Sequence, residues 1–226
     1  MPNNYQITII NKSDEPQTYL LFQNPPEVNP APSPDVFTNI YQSSPTIPNG
    51  ADTNFSITTQ WYGINGTSPA QALGTNVKVS TAQGSPVTLG GGSSLGTTLA
   101  LTTVNSDGES PEFNPVTPAA AAGSGAFQIV TDSSFTPLNL NNIFIGLGAP
   151  SANNPDIISP TATFPAEPSM TYTIWPKNTW YICTGSFQPG SIIEVQAVGA
   201  KQEVDFETGR ANQTFIHNPN GTYSPA

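Results

Sequence analysis

The sequence predicts an all-β protein, an antiparallel β-sandwich of jelly-roll-like or immunoglobulin-like type. Three observations carry that prediction. Short runs of alternating or β-branched residues recur along the 226-residue chain, each bounded by Pro, Gly or Asn. Proline (24) and glycine (19) are abundant, and no window long enough for a stable helix has an amphipathic period of 3.6. The length suits a single domain, residues 1–226, with a core of ordinary size.

Residues 5–10 (YQITII) and 17–22 (QTYLLF) read as strands around a polar turn with Asp14 and Pro16, and are expected to pair as a first hairpin. Residues 24–34 are proline-rich and predict an extended surface segment. Strands follow at 35–42 and 52–62, separated by the turn signal Pro48-Asn49-Gly50. In the second, Phe55, Ile57 and Thr59 alternate with Asn54, Ser56 and Thr58, and Trp61-Tyr62 runs into GINGTSP, read as another turn. Short strands are predicted at 75–80 and 86–89.

Around residues 84–125 the composition shifts toward Gly, Ser, Pro and Ala, which predicts a long excursion loop enclosing one strand or hairpin at TTLALTTV. Strands at 126–131 and 142–148 come next, then a loop over 149–169. A last strand is expected at 212–218, before a polar tail. The sum is about thirteen short strands with long Pro/Gly-rich loops.

Residues 170–207 hold two of the three tryptophans and the clearest hairpin signal. Ile193, Val195 and Ala197 share one face; Val204 and Phe206 answer them across a Gly199-Ala200 loop. That register sets Ile193 opposite Phe206 and Val195 opposite Val204. It also brings Glu194 against Asp205, with Glu203 and Glu207 on the same solvent face.

Composition excludes several chemistries. The net charge is −10, and the five cations (Lys12, Lys78, Lys177, Lys201, Arg210) are scattered, which argues against nucleic acid. No apolar run approaches the ~20 residues needed to span a bilayer. The first residues carry neither a basic segment nor an apolar core, so the expectation is a cytoplasmic protein or one released without a cleaved signal peptide. Cys183 is the sole cysteine, which rules out an intramolecular disulfide, and its setting (TWYICTG) predicts a buried thiol. One cysteine and one histidine (His217) cannot build a zinc cluster. No cofactor is expected, and calcium is the one ion the acids could take.

Two candidate sites remain. Trp61, Tyr62, Trp175, Trp180 and Tyr181 could offer flat faces to sugar rings, or simply pack in the core or at strand edges. Glu194, Glu203, Asp205 and Glu207 could meet across a ladder and hold a cation, or simply face solvent. If they cluster without a cation, stability should rise as pH falls toward 5. Asp107, Glu109 and Glu112 lack the spacing of a helix-loop-helix calcium loop.

The surface gives the functional expectation. Only 9 % of residues are charged, so Ser, Thr, Asn and Gln must supply most of the polar surface. Fixing such side chains in a contact avoids the rotamer entropy lost by Lys or Glu, about 1.5–2 kcal/mol each. Uncharged strands also leave sheet edges open to pairing. The expectation is a non-enzymatic, self-assembling structural or storage protein (shell, fibre, lattice or inclusion component) whose partner is another copy of itself. The alternative is a lectin-like, glycan-binding module. A glycoside hydrolase needs only two carboxylates, but nothing among the 15 acids selects a pair.

Overall fold

The computed structural model describes residues 4–226 apart from 34, 70, 138–140, 153 and 197. Ala197 of the expected hairpin therefore lies outside the described residues. The chain is all-β and sandwich-like, with eighteen strands and one 3-10 turn (Val104–Ser106) among the described residues. In order the strands are β1 (Asn4–Asn11), β2 (Gln17–Gln23), β3 (Glu27–Asn29), β4 (Phe37–Ile47), β5 (Asp52–Thr58), β6 (Trp61–Gly66), β7 (Gln83–Val87), β8 (Thr98–Thr103) and β9 (Pro111–Phe113). They continue with β10 (Phe127–Thr131), β11 (Phe144–Pro150), β12 (Ile158–Pro165), β13 (Thr171–Trp175), β14 (Thr179–Thr184), β15 (Ile192–Ile193), β16 (Lys201–Asp205), β17 (Asn212–His217) and β18 (Tyr223–Pro225).

Three sheets result. One runs β18-β17-β1-β5, a second β3-β13-β10-β8-β9, and the largest β16-β14-β2-β4-β12-β11-β6-β7, with β15 paired onto β4. Most pairs are antiparallel, as expected, but β1 with β17 and β8 with β10 run parallel. All three sheets contribute to one hydrophobic core, for instance Ile7 and Ile9 of β1, Leu99 of β8, Phe127 of β10, and Leu21, Ile145 and Trp180 of the large sheet. Aromatic contacts tie the sheets together: Tyr5 lies 4.5 Å from Phe206, and Phe164 lies 5.2 Å from Tyr172, centroid to centroid.

The large sheet is buried on both faces. On its outer side Leu20, Phe22, Ile40, Cys183 and Ile193 pack beneath Phe187, which precedes β15, and Val195 and Val198, which follow it. Beside them Ile64, Val79, Phe144 and Ile192 gather with Leu73 and Val77 of the loop after β6. Burial on both faces explains why β2 carries a continuous apolar run, YLLF, rather than an alternating one.

Several expectations need correction. The predicted first hairpin does not form, because β1 pairs with β5 and β17 while β2 pairs with β4 and β14. The residues read as a turn after Tyr62 continue β6 to Gly66. Gly63 lets the core pack closely there: a Cβ would come within 2.5 Å of Leu99 Cδ1, which would have to shift to make room. The loop predicted over 149–169 contains β12; Pro160 and Pro165 masked a strand whose Thr161–Phe164 segment is wholly buried. Of the strand expected at 75–80, only a bridge between Lys78 and Ser191 forms.

The hairpin that looked clearest is also not formed. β15 pairs with β4 (Ile193 opposite Thr38), and β16 pairs with β14 (Val204 opposite Trp180). The alternation was real: Val204 and Phe206 are buried, while Glu203 and Glu207 are exposed. Alternation fixes which face a side chain takes, and leaves the partner strand open. Here Trp180 and Ile182 of β14 offer Val204 a larger apolar surface than Val195 would.

Candidate functional site: a groove beside an open strand edge

The side chains singled out by sequence do not converge. Trp61 (6 % exposed) and Trp180 (0 %) are core residues, and the Trp180 indole N–H donates to Asn178 Oδ1 at 3.2 Å. Neither presents a face to a sugar. Trp175 is partly buried and donates to the Ser124 carbonyl at 3.2 Å, and Tyr62 packs against the cluster around Ile64 and Phe144. Tyr181 stacks on Phe22 (5.5 Å) and donates its hydroxyl to Glu203 at 3.1 Å; Lys201 Nζ lies 5.4 Å from its ring.

The acidic set is likewise dispersed. Glu194 follows β15, whereas Glu203, Asp205 and Glu207 lie on or just after β16, so the predicted Glu194–Asp205 opposition is absent. Among the described residues no group of three or more His, Cys, Asp or Glu could hold a metal ion. Asp205 accepts the Thr208 hydroxyl and the Glu207 N–H, and these bonds hold its carboxyl below the usual range. Glu207 accepts the Asn178 N–H at 3.1 Å. Asp107 accepts the N–H groups of Ser110 and Glu109, which stabilise its charged form and lower its pKa as part of a local turn.

What the fold does assemble is a groove of about 420 Å³ between β4 and β5. These consecutive strands share a turn at Pro48–Ala51, closed by the Ala51 N–H on the Pro48 carbonyl (3.1 Å) with Gly50 at φ +84°. A positive φ at the third turn position is what glycine supplies in PNG. Asn11, wholly buried, clamps this turn: its main-chain N–H reaches Ala51 O at 2.9 Å, and its side-chain amide reaches Ile47 O at 2.9 Å. Past the turn the strands part, β4 into the large sheet and β5 into the four-stranded one. Between them the walls carry Gln42, Ser43, Ser44, Asn54, Ser56 and Ser151, with no charged residue among the described lining. Tyr41 is buried in the floor, its hydroxyl bonded to Pro150 O, and burial pushes its pKa up to about 12.

The edge of β5 opens into this groove. Asn11 N bonds toward β5 and Gln6 N bonds to Ala211 O at 2.9 Å, on the β17 side. Main-chain groups alternate in direction along a strand, so those of Gln6 and Thr8 face away from β5. Their opposite residues, Ser56 and Asn54, must then aim their own N–H and C=O groups away from β1, into the groove. The Gln42 amide confirms the direction, donating to Ser56 O at 2.8 Å across the gap.

The family model of RhiA matches residues 2–224, nearly the whole chain. The chain belongs to the RhiA family. No curated protein and no solved structure matches it.

In this RhiA-family fold the other sheet margins are guarded against pairing. β16 bears Lys201, Glu203 and Asp205; β7 bears Pro86, β18 Pro225, and β9 Pro111 with Glu112. β3 carries Glu27 between Pro26 and Pro30. Charge and proline are the usual devices that keep an edge from recruiting a strand. β5 has neither from Thr53 to Thr58. No motif announces this groove in the sequence, because it depends on two neighbouring strands joining different sheets.

Proposed function

We propose that this RhiA-family protein acts by ordered self-association, as a non-catalytic structural or storage component. The observation that supports this reading is the unguarded β5 edge facing an uncharged groove. Asn54 and Ser56 hold main-chain groups that only a further strand would pair regularly, and no lining charge has to be desolvated when one arrives. The low charge content of the whole chain acts in the same direction, since few long side chains would be immobilised at a contact.

Light scattering behind size exclusion, over a wide concentration range and from pH 5 to 8, tests the reading. A discrete, reversible species whose mass exceeds that of the 23.8 kDa chain is the expected result. A monomer under every condition refutes it. A glycan-binding role is the second reading, supported by the hydroxyl- and amide-rich groove, which suits a neutral saccharide. Binding on a glycan array that is lost on filling the groove by Ser43→Trp would favour it.

A further inference from the structure

We infer that the β4–β5 groove is a slot for the protruding 115–120 segment of a second copy of this chain, so that copies join head to tail. This rests on the self-association reading above and gives it a partner segment and a symmetry.

Residues 114–121 (NPVTPAAA) are all exposed, and Val116, at 78 % exposure, is the most exposed large hydrophobic among the described residues. Both ends of the segment are tied to β8: Asn114 N–H donates to Ala100 O at 2.8 Å, and Ala121 N–H to Thr98 Oγ1 at 3.1 Å. Those anchors are two residues apart on one strand, so the six residues between them bow outward as a narrow loop. The loop carries no charge and no long side chain, which matches the uncharged groove in polarity.

The main chain matches as well. In an inserted strand Thr117 and Ala119 point the same way and lie two residues apart, about 6.6 Å. That is the spacing of the outward groups on Asn54 and Ser56. Pro118 lies between Thr117 and Ala119, and its missing N–H would face the other wall, where no ladder bond to β5 is lost. Gln42, which now donates to Ser56 O, leaves that carbonyl a second lone pair for the incoming N–H.

The loop hangs from the five-stranded sheet and the slot lies between the other two. Two different surfaces meeting in one contact make a heterologous interface, which propagates into a ring or an open filament rather than stopping at a twofold dimer.

The test uses the full chain and two kinds of variant. Ser56→Pro and, separately, Gln42→Lys block the slot. Ser56→Pro removes an N–H that makes no ladder bond, and Gln42→Lys leaves the main chain unchanged. Ala119→Asp blocks the loop at a fully exposed position. Each variant alone is expected to run as a monomer with a thermal midpoint close to that of the parent. An equimolar mixture of a slot variant with Ala119→Asp is expected to give a species of twice the monomer mass and nothing larger, because one intact slot meets one intact loop. If the parent assembles and these variants assemble equally well, the inference is overturned while self-association stands. The same holds if the variants are monomeric but the mixture fails to form the dimer. If the parent itself is monomeric throughout, the self-association reading fails first.

Discussion

Replacing Gly146 by alanine probes the tightest seam of the large sheet. Gly146 lies in β11 opposite Thr163 of β12 and Ile64 of β6. A Cβ built there would overlap the carbonyl oxygen of Ala162 and come within 2.9 Å of Thr163 Cα. Those are main-chain atoms of a paired strand, so relief requires β11 and β12 to separate. Overpacking a core position costs about 1–3 kcal/mol, and a main-chain obstacle places this site near the upper end. For a chain of this length each kcal/mol lowers Tm by roughly 2–4 °C, so Gly146→Ala should lose about 6–12 °C. Gly63→Ala meets Leu99 Cδ1 at 2.5 Å, the end of a side chain that can rotate, and should lose less. Gly199→Ala meets nothing within 4 Å and should stay within about 0.5 kcal/mol of the parent. Thermal unfolding followed by circular dichroism measures all three. A Gly146→Ala midpoint within 2–3 °C of Gly199→Ala would refute the assigned β11–β12 register.

Other consequences can be checked with the same preparation. His217 is buried, 3.1 Å from the Tyr19 hydroxyl and stacked on Tyr223, and burial lowers its pKa from the ordinary 6.5. The unfolded chain therefore takes up a proton below pH 6.5 that the folded one resists, so Tm should fall from pH 6.5 toward 5, with a flatter slope in His217→Gln. A midpoint rising toward pH 5 would instead revive the acidic-face expectation. Cys183 is fully buried and its thiol is pushed up to about 12 by burial, so iodoacetamide at pH 8 should leave the native protein unlabelled and modify it once denatured. Rapid native labelling, read by mass spectrometry, contradicts that placement. Trp180→Ala removes a wholly buried indole and should cost about 3–5 kcal/mol; a midpoint shift under 3 °C would show that Trp180 is not in the core.

How much of this was legible in the sequence depends on what each residue pattern encodes. Alternation at Phe55 and Ile57, or Val204 and Phe206, told which way side chains point, and each of these residues is buried. The PNG turn and the burial of Cys183 were legible for equally local reasons: a positive φ and an apolar neighbourhood. Partnership was not local. β1 finds its neighbours at residues 52–58 and 212–217, and neither is advertised by anything near residue 6. β12 was hidden because proline at 160 and 165 reads as a strand breaker, although both flank a run whose other residues face the interior on each side. For Trp61 and Trp180 the sequence left sugar stacking and core packing both open, and burial decides for packing. The groove had no signature, since Ser, Thr, Asn and Gln line it as they line the rest of the surface. What marks it is the absence of charge and proline from Thr53 to Thr58 of β5, visible only once the six sheet margins can be compared.

The parallel pairing of β1 with β17 bears on how the protein is made. Gln6 waits for Asn212, roughly 200 residues later in synthesis; at 5–20 residues per second that is about 10–40 s. Throughout that interval a ribosome-bound chain holds β1 with one margin vacant and β5 already able to occupy the other. Completion of the four-stranded sheet is thus a late event, gated by translation rather than by the intrinsic speed of strand pairing. A nascent chain arrested before residue 212 would leave Ile7 and Ile9 incompletely covered, which makes it the species a holding chaperone should recognise and a released full-length chain should not.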